Sequence, residues 1–119
     1  MKNTQGNVDQ ATFNDLEDIM GAEFMVELID TFSIETEGLI TQLQGALAAG
    51  DAAAFGRLAH SIKSSSASLG ALAFSQQARE LEMLGKSGSL DGAGPMVEKF
   101  FADFVMVKQT LEALINEAK

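Results

Sequence analysis

At 119 residues, 46% hydrophobic and 21% charged, the chain has the length of one domain and the composition of a folded globular protein, not of a disordered segment. It contains no Cys, which excludes disulfides and thiolate metal sites, and neither a signal-peptide core of roughly 7–15 apolar residues nor a membrane span of roughly 20 is present, so a cytoplasmic location is the default expectation. The formal charge of −9, from 8 Lys and Arg against 17 Asp and Glu, disfavours attraction to nucleic acid or anionic lipid, and neither DNA nor a membrane is the expected partner.

Residues 1–8 carry no periodicity and are expected to be frayed; a single domain is expected over 9–119. Phe13, Leu16 and Ile19 predict a short first helix. Phe24, Leu28, Phe32, Leu39, Leu43 and Leu47 then recur at sums of threes and fours, the spacing of one buried face of a long helix. Gly50 can end that helix in the left-handed conformation, and Asp51 can cap the next one by accepting a hydrogen bond from a free amide. The third main helix runs to about Leu69, where Gly70 suits the position just past its end. A fourth carries Phe74, Ala78, Leu81 and Leu84. The loop "GKSGSLDGAGP" breaks the pattern, and Phe100, Phe104, Leu111, Leu114 and Ile115 mark a long last helix that Pro95 could open. Short connections make consecutive helices antiparallel neighbours, so the expected fold is all-α: an up-down antiparallel four-helix bundle with a short additional N-terminal helix.

The charge is unevenly spread. Residues 52–79 hold no Asp or Glu, and Arg57, Lys63 and Arg79 give the stretch +3, while five Lys against 17 acids leave the remainder at −12. Within it, "RLAHSIKSSSASLG" contains the single histidine, His60. At about 100° per residue, Phe55, Leu58, Ala59, Ile62, Ser65, Ser66 and Leu69 share one arc of the helix. His60 lies almost opposite its centre, facing solvent. Its neighbours three and four residues away are Arg57 and Lys63, both cationic, and Gly56 and Ser64, both small. Ala53 and Ala67, one turn further out, are small as well. A Gly inside a helix costs about 0.5–1 kcal/mol relative to Ala, so Gly56 reads as a concession to access or to close approach. The competing reading is an exposed His on an Ala- and Ser-rich helix, with no task.

An imidazole with an ordinary pKa near 6.5 presents a free nucleophilic nitrogen at about pH 7. A lysine one turn away can meet the oxygens of a phosphoryl group as it arrives or leaves. A bare, cation-flanked His therefore suits direct attack on phosphorus by a site with room for a bulky donor. Other chemistries lack their parts. A Ser-His-Asp hydrolase needs an acid to orient the ring, and 52–79 supplies none. A carboxylate-bridged metal bundle needs repeated Glu-x-x-His pairs, whereas Arg57 stands in the Glu position, so no metal site is expected. No glycine lies five residues before Gly85, so "GKS" at 85–87 is not a phosphate loop.

The sequence resembles the histidine phosphotransfer domains of multistep two-component phosphorelays. The residues that carry the resemblance are His60, Lys63, the small run Ser64, Ser65 and Ser66, Gly70, and "ARELEMLG" on the next helix. The resemblance implies that His60 is the phosphorylated residue and that Lys63 orients the phosphoryl group. Ser64 stands where the family commonly has Gly. Glu82 matches a position where some members place a polar side chain near the imidazole, although by spacing it lies on the flank of its helix's apolar face. Gly56, Arg57, Ser64, Ala67 and Glu82 are the expected partner-docking residues. The implied partners are response-regulator receiver domains and a sensor histidine kinase, hybrid or simple, with the aspartyl phosphate and Mg²⁺ supplied by the receiver and no cofactor in this chain. The alternative is a helical adaptor that binds a receiver without chemistry.

Overall fold

The computed structural model describes residues 8–118, with side chains described for 8–115. Five helices follow in order: α1 Gln10–Met20, α2 Ala22–Ala49, α3 Ala52–Ser68, α4 Leu72–Lys86 and α5 Ala93–Ala118, with no strand among the described residues. The junctions follow from local chemistry. The Asp9 carboxylate accepts from the Thr12 amide and caps α1. Gly50 ends α2 in the left-handed region (φ 71°, ψ 24°), and Asp51 caps α3 by accepting from the Ala54 amide, as the sequence predicts. Gly70, at φ 86°, makes the tight corner between α3 and α4.

Helices α2 to α5 close a ring in which α2 packs on α3 and α5, and α4 packs on α3 and α5, with α1 laid against α2. This is the expected antiparallel four-helix bundle with an additional N-terminal helix. The core between the helices is built on aromatic rings: Phe74 of α4 stacks on Phe100 of α5 with centroids 4.2 Å apart, and Phe104 bridges from Phe74 to Phe32 of α2. Such ring pairs add about 0.5–1.5 kcal/mol each beyond the area they bury.

Three expectations need correction. Of the supposedly frayed residues, 1–7 lie outside the described residues, but Val8 is 2% exposed and belongs to the core. Next to it, the Asp9 amide donates to the Gly70 carbonyl, which ties the start of the chain to the α3–α4 corner. The buried stripe of α2 is centred on Met25, Ile29, Phe32, Thr36, Ile40 and Leu43; Leu28, Leu39 and Leu47 are only half-buried and Phe24 is exposed. Because α2 contacts both α3 and α5, its covered face is wide, and the leucines chosen by period do not mark its middle. Finally, Gly85 and Lys86 are helical, so the α4–α5 connection shrinks to Ser87–Gly92, and Pro95 lies inside the first turn of α5.

Gly85 stands inside α4 without a side chain because α3 leaves no room for one. A Cβ at Gly85 would stand 2.7 Å from both the N and the Cα of Gly56 and 2.8 Å from the Ala52 carbonyl oxygen. These are backbone atoms that cannot rotate away. A Cβ at Gly56 would meet nothing nearer than 3.5 Å, at the Glu82 carbonyl oxygen, which is ordinary contact. The two touching glycines should therefore respond with opposite sign. Gly85→Ala is expected to lower stability by about 1–3 kcal/mol through overpacking. Gly56→Ala is expected to be neutral or to gain up to about 1 kcal/mol from helix propensity. Urea unfolding of the two variants checks this, and a Gly85→Ala protein as stable as the parent would contradict the tight crossing.

Candidate functional site

Where α3 and α4 cross, His60, Lys63, Glu82 and Lys86 form one cluster. The His60 side chain is 57% exposed, as the helical arc predicts. Its inner nitrogen, Nδ1, lies 2.8 Å from Oε2 of Glu82. Lys63 donates from Nζ to the other oxygen, Oε1, at 2.7 Å, and Lys86, one turn beyond Glu82 on α4, reaches Oε2 at 3.3 Å. Glu82 itself is 4% exposed. The Lys63 bond holds its carboxyl down to about 2; burial works in the opposite direction, and the His60 and Lys86 bonds add to the lowering.

A carboxylate ionised at neutral pH can only accept. Nδ1 of His60 must therefore carry the ring proton in this hydrogen bond, and the lone pair falls on Nε2, on the outward side of an exposed ring. In its neutral form the imidazole is thus held in one tautomer, with Nε2 bearing the lone pair and a lysine on either side of the buried acid. The backbone beneath is pinned too: Ser75, buried on α4, donates its hydroxyl to the Lys63 carbonyl at 2.8 Å.

The expected site residues divide into three groups. His60, Lys63 and Glu82 are in direct contact. Arg57, Ser64 and Ala67 are exposed on α3, and Arg57 lines with His60, Gly56, Gly85 and Lys86 an open groove of about 490 Å³. Gly56 is buried at the helix crossing, where a Cβ would meet only ordinary contact, so the close approach excludes a side chain at Gly85 and not at Gly56.

The expectation of a ring without an orienting acid is corrected: the acid-free stretch 52–79 ends three residues short of Glu82, and α4 brings that carboxylate under the imidazole. Sequence reasoning also missed Lys86 and Gly85, both assigned to the loop. The available signal was the Glu82–Lys86 spacing of four, the favourable orientation for a helical ion pair. Among the described residues, no group of three His, Cys, Asp or Glu stands where it could hold a metal ion, and no helix is long and apolar enough to cross a membrane.

A solvent-facing His with a fixed tautomer, flanked by lysines on the wall of a helical bundle, defines a phosphoryl-carrying histidine domain. The Hpt domain family profile matches residues 27–118, and the chain belongs to that family, whose members work with receiver domains and kinases as histidine phosphotransfer intermediates of phosphorelays. Among solved structures, histidine-containing phosphotransfer protein B from Pseudomonas aeruginosa PAO1 is similar to it, at a TM-score of 0.86 and 31% sequence identity, over 93% of this chain and 96% of that one. No match was found among curated protein sequences. Helix α1 precedes the part matched by the family profile.

The lowered carboxyl of Glu82 has a pH signature of defined sign. A group whose pKa falls from 4.5 to about 2 on folding contributes stability above its unfolded value, and that contribution is lost as the pH drops toward its folded value. Urea unfolding from about pH 5 down to about pH 2 should therefore show a steeper loss for the parent than for Glu82→Gln. Parallel curves would mean that Glu82 titrates normally in the folded protein.

Proposed function

We propose that His60 is the phosphoryl acceptor of this phosphotransfer domain, receiving the group on Nε2 from the aspartyl phosphate of one receiver domain and passing it to the aspartate of another. The observation that carries the reading is the Nδ1 contact to the buried, ionised Glu82, which leaves Nε2 as the nucleophile on the exposed side. Lys63, one turn from His60, and Lys86, one turn from Glu82, both pair with Glu82 and can turn from it to phosphoryl oxygens, where negative charge accumulates. Mg²⁺ and the group that polarises the aspartyl phosphate belong to the receiver, so the active site is complete only in the complex. The kinase upstream is a sensor histidine kinase, of the hybrid kind where it carries its own receiver, and the exchange takes place in the cytoplasm.

Docking uses the small-residue surface around the ring. Ala53, Ser64 and Ala67 are exposed on the face of His60, so a receiver can bring phosphorus to the near-attack separation of about 3–3.5 Å without meeting a long side chain. An acidic phosphorylation pocket would approach Arg57, Lys63 and Lys86, three cations against the single charge of Glu82, without net repulsion.

Two variants test the assignment by transfer from phosphorylated receivers, read as acid-labile, base-stable phosphate on this chain. His60→Gln should abolish acceptance and leave the fold intact, since the side chain is largely exposed and an amide can still donate to Glu82. A Gln variant that still takes phosphate would put the site elsewhere, and a parent chain unlabelled by a broad receiver panel would favour the adaptor. Ser64→Gln should slow transfer severely at little cost to stability, because Gln is a good helix former at an exposed position. Transfer at the parent rate would overturn the clearance argument.

A further inference from the structure

Resting on the assignment of His60 as acceptor, we propose that the charge of Glu82 keeps the Nδ1 proton on the ring throughout the phosphoryl cycle. The phosphorylated imidazole then stays cationic at neutral pH and passes its group on without a proton having to move. Glu82 is thereby a positioning residue for a proton as well as for the ring.

The electron and proton balance shows what is gained. On the inward step the Nε2 lone pair forms the N–P bond while the P–O bond to the donor aspartate breaks, its electron pair leaving with the carboxylate. The ring becomes positive, and Nδ1–H remains donated to Glu82. On the outward step an aspartate oxygen bonds to phosphorus and the Nε2–P bond breaks, its pair returning to Nε2. The ring departs as neutral imidazole with the same proton on Nδ1. Without that proton the departing group would be an imidazolide anion, a far poorer leaving group. A phosphorylated imidazole free in water loses its remaining N–H proton in the ordinary imidazole range, close to neutrality, so the transfer-ready form would otherwise be only part of the population.

The surroundings decide which charge the ring meets. On its own helix the neighbours are Arg57 and Lys63; from α4 come Glu82 and Lys86. Helix α2 packs on the opposite side of α3, where its Glu35 lines a separate groove with Ser65 and Ser68. Glu82 is thus the one carboxylate in contact with the ring among the described residues. Its other partners are more exposed than it is: the Lys63 side chain is 30% exposed and that of Lys86 73%, against 6% for Glu82. Both lysines are free to turn outward to an arriving phosphoryl group. Glu82 has almost no access to water, so when they turn, the ring N–H is the partner it keeps.

The full-length protein is phosphorylated in two ways, with phosphoramidate as a small donor and with a phosphorylated receiver, and the phosphohistidine ³¹P resonance is followed from about pH 6 to about pH 8, the imidazole range. The parent should show no ring titration there, whereas Glu82→Gln, which keeps the size and the hydrogen bond but not the charge, should titrate within it. Above its midpoint the variant should also lose phosphate more slowly than the parent, by about tenfold for each pH unit above that midpoint. If neither donor labels His60, the assignment itself fails, and this proposal with it. If His60 is labelled but the parent resonance titrates at the pH of the variant, the assignment stands and the proposal is overturned. Should the variant not fold, the parent titration decides alone: a step at the pH of free phosphohistidine refutes the proposal, and a flat profile supports it.

Discussion

The distance between α3 and α4 is set where the backbones of Gly56 and Gly85 touch, and the geometry of the site is a consequence of it. The helices run antiparallel, so one turn forward from Gly56 and one turn back from Gly85 lead in the same direction. Those steps arrive at His60 and Glu82. At this separation the Glu82 carboxylate reaches the His60 imidazole while its stem stays buried. Further along the same seam, Ser75 holds the Lys63 carbonyl, so the register fixed at the glycines is held again beyond the site. Gly85, which has no room for a side chain, thus helps determine which side chains meet.

The contact between His60 and Glu82 also changes the electrical character of the site. Read along α3 alone, the ring is an isolated imidazole between two cations. In the bundle the cations face a buried anion, and α4 brings Glu82 together with Lys86, so the ring gains an anionic contact while the cluster stays net positive. An anion so placed, fixed by Lys63 and Lys86, needs no rearrangement of solvent to act on the ring. That is the sense in which a protein environment is preorganised for charge. This surplus of positive charge stands on a strongly acidic molecule, which sets the face around His60 apart.

The fold was largely legible in the sequence because it is written in local terms. The Gly50–Asp51 junction needs only a left-handed residue followed by a cap, and the exposure of His60 follows from the angle it makes with Phe55, Ala59 and Ile62 on one helix. What could not be read is what depends on two helices at once. The burial of Glu82 is invisible to periodicity, since a carboxylate on the flank of an apolar face is ordinarily solvated; it goes inside because His60, Lys63 and Lys86 satisfy it. Gly85 and Lys86 resemble loop residues in composition, and only the pressure of α3 explains a glycine inside α4. Val8 was missed for a similar reason: one apolar residue has no period, and its place is fixed by the fold around it.

The bond from the Asp9 amide to the Gly70 carbonyl bears on the order in which the molecule assembles. The α2–α3 and α3–α4 hairpins join neighbours in sequence and close short loops, whereas this bond joins residues roughly 60 positions apart, a loop whose closure costs more entropy. Contacts that close long loops tend to form after the local ones that shorten them. The seat for α1 is the α3–α4 corner, with Gly70 pressed against Asp9 and Thr12, and that corner exists only once the α3–α4 hairpin is made. Helix α1 can therefore reach its seat only after that corner has formed, and its attachment there can open locally without the four helices that carry the site coming apart.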